Sequence, residues 1–425
     1  MYLLVYVDDL ILTGNQPSIL TSFISRLNSE FAIKDLGKLN YFLGLEVTYT
    51  HHGLFLNQSK YTLDILTRAK MLDAKPAPTP LSTNVSFVST GDLFSDATLY
   101  RSIVGALQYL TITRPDISYA VNQVSQFLHA PTTAHFQEVK RILRYLKGTI
   151  SYGLHYSRPT QMMLLGYSDA DWARCLETRR STYGYSIFLG GNLISWSAKK
   201  QPTVARSSCE SEYRAMANTA AEIVWLTHLL QELYALPPSR PAILCDNQSA
   251  IFLTQNPVAH KRTKHIDLDY HFLRELVAAG KLTTKFIPTK LQVADIFTKS
   301  LPSSQFNVLR QMLRLVDPVS KTTNPPNQLS LFLQQHYDGL HSVSDCKVGL
   351  ARGKILEEIK KNQEMWERLL EEPPSSFRDA ALNHIKEQSR ADDLAFSFLK
   401  DALNIVKEKM EFSSAERDKI FASSN

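Results

Sequence analysis

The chain has 425 residues, of which 44% are hydrophobic, and carries a formal net charge of +6. This length allows two to four domains of ~100–200 residues, and the composition is that of a folded protein with a sizeable core. No apolar run approaches the ~20 residues of a membrane helix, and the first residues lack the basic leader of a signal peptide. We therefore expect a protein without membrane association.

The four cysteines also bear on the compartment. Cys175, Cys209, Cys245 and Cys346 lie far apart and fit no CxxC or zinc-binding spacing. Such cysteines are typical of reduced thiols in an intracellular protein, either cytoplasmic or nuclear.

Basic charge is concentrated in the first 316 residues, which contain 32 Lys and Arg against 23 Asp and Glu. The remaining residues contain 15 against 18. A polyanion would bind the basic part, although a mildly basic solvated surface explains the same counts.

Composition divides the chain into four stretches. Residues 1–156 mix short strands and helices, and residues 157–316 alternate strand and helix patterns. A Pro-, Ser-, Thr- and Asn-rich stretch at 317–328 predicts a linker, and 329–425 predicts an acidic helical tail of unknown function.

The first predicted element is a hairpin. Residues 3–7 and 10–13 are mostly apolar, and Asp8 and Asp9 lie between them. Adjacent carboxylates repel each other unless they are solvated or bound to a cation. The residues alone favour the simpler interpretation, which is a hairpin with a polar tip.

Residues 164–301 predict a β-β-β-α-β-α-β-α order. Asp169 ends the first strand, Glu212 lies in the first turn of a helix spanning about residues 208–233, and Asp246 ends a buried strand. Asp295 is predicted at the start of the last helix. This order indicates an α/β (α+β) fold with a mixed five-stranded sheet and flanking helices.

Carboxylates at strand ends and helix starts can converge on one edge of such a sheet. Mg²⁺ prefers oxygen ligands, and a two-metal nuclease needs several of them close together. Any one of these acids could equally be a solvated carboxylate, so the prediction depends on all four together.

Longer sequence strings support a family assignment. YVDD at 6–9 is followed in order by LNYFLGLEV, LFLNQSKYTLDIL, KPAPTPL, YRSIVGALQYLTITRPDISYAV and VKRILRYLKGT. Over about residues 2–315 the chain resembles the carboxyl-terminal part of a copia-type retrotransposon polyprotein. The resemblance implies that residues 1–156 contain the end of the palm, the thumb and the connection of a reverse transcriptase.

In that family the hairpin aspartates bind catalytic magnesium ions, which assigns metal-binding roles to Asp8 and Asp9. A third aspartate is supplied by a strand well before the hairpin. Because this chain begins at Met1, we expect Asp8 and Asp9 to be a relic half-site without polymerase activity.

The second segment resembles a ribonuclease H domain. The strings SDADWA, SCESEYRA, CDNQSAI and VADIFTK carry the metal-binding set Asp169, Glu212, Asp246 and Asp295. The resemblance implies an endonuclease that cuts the RNA strand of an RNA–DNA hybrid with two Mg²⁺ ions, for which Mn²⁺ can substitute. Glu210 competes with Glu212, and Asp171 competes weakly with Asp169.

Basic strings flank these acids and are expected to hold phosphates. The residues assigned to this role are Arg179, Arg180, Lys199, Lys200, Arg206, Lys261, Arg262 and Lys264. Nearby, His265, Asp267 and Asp269 form an HxDxD pattern, which is a surface strand or loop or, less favoured, a zinc site. Arg174 and Tyr183 stand where the family usually has Gly and Ser, and no His lies between His271 and Asp295 to assist product release.

A different class of function remains open from sequence. The retroelement segment could be a decayed or domesticated remnant that binds nucleic acid or protein without catalysis. Mg²⁺-dependent cleavage of a labelled hybrid distinguishes the two interpretations.

Overall fold

The computed structural model describes residues 1–318 except 8, 32, 52, 84–86, 160 and 256–266, and it leaves the Asp267 side chain undescribed. The predicted tail and nearly all of the predicted linker therefore lie outside the described residues. The chain divides into two compact units. Met1–Lys34 belongs to one of them, and Asp35–Pro325 forms the other.

The described part of the first unit is a hairpin followed by a helix. Strands β1 (Tyr2–Tyr6) and β2 (Asp9–Thr13) pair antiparallel, with Tyr6 opposite Asp9. Helix α1 (Pro17–Glu30) begins at a proline, whose fixed φ suits the first helical position. The predicted hairpin is thus present.

The second unit begins with short strands and a group of helices. In chain order these are β3 (Tyr41–Phe42), β4 (Leu45–Thr50), β5 (Gly53–Asn57), α2 (Ser59–Arg68), α3 (Ala97–Leu110), α4 (Ser118–Ser125), α5 (Thr133–Lys147) and β6 (Gly153–Ser157). Helices α3 and α5 begin at side-chain caps, since Asp96 and Thr132 accept hydrogen bonds from the first-turn N–H groups of Leu99 and His135.

The unit continues with the strands and helices of the predicted nuclease. They are β7 (Leu164–Asp171), β8 (Thr182–Leu189), β9 (Asn192–Lys200), α6 (Ser208–Glu232), β10 (Ala242–Cys245), α7 (Gln248–Gln255), α8 (Asp267–Ala278), β11 (Thr283–Phe286), a 3-10 helix (Val293–Phe297), α9 (Ser303–Met312) and β12 (Leu315–Val316).

The predicted mixed five-stranded sheet is confirmed. Its order is β11-β10-β7-β8-β9, with β7, β8 and β9 antiparallel and β10 parallel to both β7 and β11. The β8–β9 turn is formed by Gly190 and Gly191, whose φ angles of 57° and 81° suit a two-residue hairpin loop. All eight residues of β7 are buried, so the central strand places Asp169 inside the protein.

Helix α6 covers one face of this sheet. Its buried residues Met216, Ala220 and Ile223 pack with Leu164 and Ile187 of the strands in one apolar core. Burial of these side chains is the main driving force that holds the helix on the sheet. The sheet and this helix form the frame on which the acidic residues are mounted.

Three local predictions were wrong in detail. Glu210, not Glu212, lies in the first turn of α6, because the helix begins at Ser208 after the capping residue Ser207. Asp295 lies in the 3-10 helix and not at the start of α9. An additional helix, α8, separates α7 from β11, and it contains Asp269 of the HxDxD pattern, which is therefore neither strand nor loop.

A second sheet joins the two predicted segments. Its order is β12-β6-β5-β4-β3, all antiparallel, and Leu315 of β12 lies opposite Leu154 of β6. Buried polar groups add to this connection, because Arg310 of α9 donates to the Tyr145 hydroxyl, which in turn donates to Asp116. Among the helices described, none is long and apolar enough to cross a membrane.

Candidate nuclease site

Asp169 is held near the end of β7, where it is 1% exposed. One carboxylate oxygen accepts a hydrogen bond from the Thr298 hydroxyl, and the other lies 3.3 Å from Lys299 Nζ. Both partners follow the 3-10 helix, about 130 residues further along the chain. The β7 strand and the 3-10 helix therefore meet at this carboxylate.

Asp295 faces the same lysine from the 3-10 helix. Its carboxylate lies 2.8 Å from Lys299 Nζ, and the side chain is 3% exposed. Gln292 Nε2 donates to the Ser168 backbone oxygen at 3.0 Å, which ties the start of this helix to β7. Lys299 therefore bridges the first and last acids of the predicted set.

A glycine allows this close approach. Gly184 of β8 lies opposite Asp169 in the sheet register. A Cβ added at Gly184 would lie 2.5 Å from Phe297 Cβ and 2.9 Å from Thr298 Cγ2. Only a residue without a side chain lets the segment that carries Asp295 and Thr298 lie directly on β8.

Glu212 and Asp246 form the other half of the site. Glu212 accepts a hydrogen bond from the Ala170 backbone N–H, and its Oε2 lies 3.8 Å from Cys245 Sγ. Ligand atoms of Glu212, Cys245 and Asp246 all lie within 4.8 Å of one another. The Thr289 hydroxyl donates to Asp246 at 2.8 Å and fixes its orientation.

Electrostatics links the two halves. Burial raises the pKa of Glu212 well above its usual value, and the charges of Asp169 and Asp246 raise it further. Burial, followed by the charge of Asp169, raises the pKa of Asp295 to about 7, against the opposing effect of Lys299. Burial would lower the pKa of Lys299, but Asp169 and Asp295 outweigh it and raise that pKa. The four acids thus form one interacting group that favours added positive charge.

The donor set fits a hard divalent cation. Carboxylate oxygens supply every predicted ligand, and Mg²⁺ is bound in proteins by such oxygens. Cys245 is a soft donor beside Glu212, and burial raises the pKa of its thiol, which disfavours a thiolate ligand.

The two competing acids have other partners. Glu210 forms an ion pair with Arg214 at 2.8 Å and accepts a hydrogen bond from the Arg206 backbone N–H at 2.9 Å. Asp171 accepts a hydrogen bond from the Thr182 backbone N–H, and burial raises its pKa to about 8. The structure therefore brings Glu212, and not Glu210, to the other acids.

The basic residues predicted to bind phosphates differ in their exposure. Arg179, Arg180, Lys199 and Arg206 are exposed around the loop after β7, the end of β9 and the start of α6. Lys200 turns inward, with its Nζ 2.9 Å from Cys175 Sγ and 3.0 Å from Gln126 Oε1. Lys261, Arg262, Lys264 and His265 lie outside the described residues.

Sequence reasoning missed the residues that hold the acids. Lys299, Thr298 and Gly184 were not assigned roles, although Thr298 and Lys299 stand in the quoted string VADIFTK. The spacing of Asp295 and Lys299, four residues apart, is the one local signal that could have indicated an ion pair.

The hairpin is a different environment. Asp9 begins β2 and is exposed, and Asp8 lies outside the described residues. The expectation that these two aspartates form only half of a polymerase site stays a prediction.

Comparison with known proteins identifies the family. The sequence model described as reverse transcriptase (RNA-dependent DNA polymerase) matches residues 1–83. The Pol polyprotein of transposon RE1 from Arabidopsis thaliana is 48% identical over 307 residues, which are 72% of this chain and 21% of that polyprotein. The putative transposon Ty5-1 protein of Saccharomyces cerevisiae is 35% identical, over 52% of this chain and 74% of the relative. This chain belongs to the copia-type retrotransposon polyprotein family.

The copia-type chain spans about a fifth of the length of the RE1 polyprotein. Among solved structures, the N-terminal RNase H domain of a Mycobacterium tuberculosis protein, fused to maltose-binding protein, matches 36% of this chain and 98% of its own. That match has 13% identity and a TM-score of 0.25, which supports no conclusion about the site.

Proposed function

We propose that residues 157–316 are an RNase H-type endonuclease that hydrolyses the RNA strand of an RNA–DNA hybrid with two divalent metal ions. The observation that carries the proposal is the group of interacting acids Asp169, Glu212, Asp246 and Asp295, of which Asp246 is half-buried and the other three are buried. Their mutual repulsion in a low-dielectric site costs folding free energy unless cations bind there, and this indicates a site kept for cation-dependent chemistry.

Three of the four acids have a partner of their own, so the ligand set is preorganised. Asp169 is oriented by Thr298, Asp246 by Thr289, and Glu212 by the Ala170 N–H. These partners hold the carboxylates in place before metal binds, which lowers the cost of assembling the site. The bound Mg²⁺ ions would activate a water for attack on phosphorus and stabilise the leaving 3′ oxygen.

Lys299 supplies positive charge to the site. Its ammonium group neutralises Asp169 and Asp295, at 3.3 and 2.8 Å, and is 30% exposed. A partly exposed lysine can swing aside, so the same two carboxylates remain available to Mg²⁺. The exposed Arg179, Arg180, Lys199 and Arg206 would hold the hybrid's phosphates beside the acids, and RNA is distinguished from DNA by its 2′-OH.

The test is cleavage by the full chain of a hybrid labelled on its RNA strand. We expect cutting with Mg²⁺ or Mn²⁺ and none with EDTA. Asp169→Asn keeps the shape and removes a ligand charge, so the rate should fall by about 10²–10³ or more. Asp73→Asn, at an exposed position outside the site, should cut like the wild type. A folded wild-type chain that leaves the hybrid intact with both metals would favour the non-catalytic binding module instead.

A further inference from the structure

A cavity of about 460 Å³ lies beside the acids, between helix α4 and the loop that joins β7 to β8. Tyr119 and Gln123 of α4 line one side, and Arg174 and Cys175 of the loop line the other. The volume is in the range of small-ligand pockets, ~300–1,000 Å³. None of these residues belongs to the proposed metal-binding set.

The charged groups that line the cavity already have hydrogen-bond partners. Two basic and two acidic side chains line it, namely Arg174, Lys200, Asp171 and Glu177. Lys200 contacts Cys175 and Gln126, Arg174 Nη2 donates to Ser300 Oγ at 2.9 Å, and Glu177 accepts from Ser89 Oγ at 2.8 Å. Because these groups are already hydrogen-bonded, the cavity fits a neutral polar ligand.

The remaining lining has the chemistry of a base-binding site. Phe87 and Phe127 line it with nearly parallel aromatic rings, whose centroids are 6.1 Å apart and whose planes are 15° apart, and the His135 ring covers one face of Phe127 at 3.8 Å. On the α4 side of the cavity, the Gln123 amide and the Tyr119 hydroxyl offer both donors and acceptors. A flat, neutral heterocycle with a polar edge matches this combination, and a nucleobase is such a heterocycle.

The position of the cavity relates it to the acids. Asp171 follows Asp169 by two residues on β7, so both side chains lie on the same face of the strand. Ser300 directly follows Lys299, which bridges Asp169 and Asp295. A base in the cavity would therefore belong to a nucleotide close to the phosphodiester that is cut.

We propose that this cavity receives one unpaired nucleobase of the bound strand, next to the cleavage position, with Arg174 at the rim beside the sugar–phosphate backbone. The inference rests on the proposed nuclease function and extends it, because it adds recognition of an extruded base. Hybrids with a bulged nucleotide at one register would bind more tightly than fully paired hybrids.

The experiment uses the full chain without Mg²⁺ or Mn²⁺, so that binding is measured without cutting. Hybrids carry a single unpaired 2-aminopurine in the RNA strand, moved one position at a time. We expect one register to bind about tenfold more tightly than the paired hybrid and to show quenched fluorescence, as one buried hydrogen bond with stacking would produce. Gln123→Leu should remove that advantage, whereas Gln248→Leu, exposed on α7, should keep it.

A second measurement uses Cys175 as a reporter. Burial would raise the pKa of this thiol, but hydrogen bonds from Lys200 and Thr178 lower it to about 7, so it reacts readily with an activated disulfide. A disulfide tether on the unpaired base should cross-link in the same register and fail with Cys175→Ser.

Equal affinity for all registers, or an advantage that survives Gln123→Leu, would overturn the inference. Binding of free 2-aminopurine riboside with no register preference would overturn the assignment to the bound strand. Mg²⁺-dependent cleavage of paired hybrid is scored separately. A chain that cuts paired hybrid but ignores bulges contradicts only this inference, and a chain that prefers one bulge without cutting contradicts only the nuclease function.

Discussion

The chain contains two groups of aspartates with family-like sequence strings, and the structure gives them opposite surroundings. Asp169 lies on a strand whose eight residues are all buried, and side chains from the 3-10 helix segment hold it. Asp9 begins an exposed strand, and the apolar residues of β1 are 43–58% exposed. The matching strings therefore indicate common ancestry with the family at both places. Among the described residues of the two groups, Asp169 is buried and hydrogen-bonded, whereas Asp9 is exposed.

The largest expected effect separates the two glutamates of α6. Glu212→Gln removes a ligand charge from the acidic site, so hybrid cleavage should fall by about 10²–10³. Glu210→Gln breaks an ion pair with Arg214 and leaves the site's acids intact. Rates measured at saturating Mg²⁺ should show near-wild-type cutting for Glu210→Gln. The reverse ranking would mean that the wrong glutamate has been placed in the site.

Next in size is the effect of a methyl group at Gly184. Gly184→Ala forces the Phe297–Thr298 segment away from β8, and such overpacking costs about 1–3 kcal/mol of unfolding free energy. Because Asp295 and Thr298 shift with that segment, cleavage should fall as well. Gly105→Ala is the control, since an added Cβ on α3 meets nothing within 4 Å and should add ~0.5–1 kcal/mol. Urea unfolding measures both, and unchanged stability in Gly184→Ala would contradict the close approach.

Lys299 provides a smaller test of how the acids are balanced. Lys299→Met leaves Asp169 and Asp295 without their cation, so the metal-free protein should melt several degrees lower. Added Mg²⁺ should raise its melting temperature more than that of the wild type. Lys290→Met, at an exposed position, should behave like the wild type. Equal Mg²⁺ responses in all three proteins would show that Lys299 does not oppose metal binding.

The smallest effect is expected in the hairpin. Val5 is 58% exposed, so Val5→Ala should change the free energy of unfolding by no more than about 0.5 kcal/mol. Leu164→Ala, which opens a void in the sheet core, should cost about 2–5 kcal/mol. Urea unfolding measures both variants. If Val5→Ala loses as much free energy of unfolding as Leu164→Ala, the hairpin face is covered in solution.

The sequence predicted those strands and helices whose own residues carry a clear local pattern. Apolar residues predicted the strand that carries Asp169, and the helical pattern predicted the long helix at about residues 208–233, which the structure places at Ser208–Glu232. The 3-10 helix that carries Asp295 ends against Gly184, which is distant in sequence, and no local pattern indicates that contact.

The candidate site was also predicted only in part from the sequence. The four acids were found from family-like strings, but their supporting partners were not. Thr298 reaches Asp169 across 129 residues, and a threonine in a sequence carries no sign of such a contact. The cavity beside the acids was also invisible, because its two sides come from separate segments that only the fold brings together.

The pairing of β6 with β12 has a consequence for how such a segment can be exchanged. Strand β6 ends at Ser157, just as the nuclease segment begins, and β12 closes that segment at Leu315–Val316. The two ends of this segment therefore lie side by side on neighbouring strands. Segments with adjacent ends are those for which insertion into a protein is tolerated. Residues 158–314, which lie between these two paired strands, are therefore a segment whose two ends meet at one place in the protein.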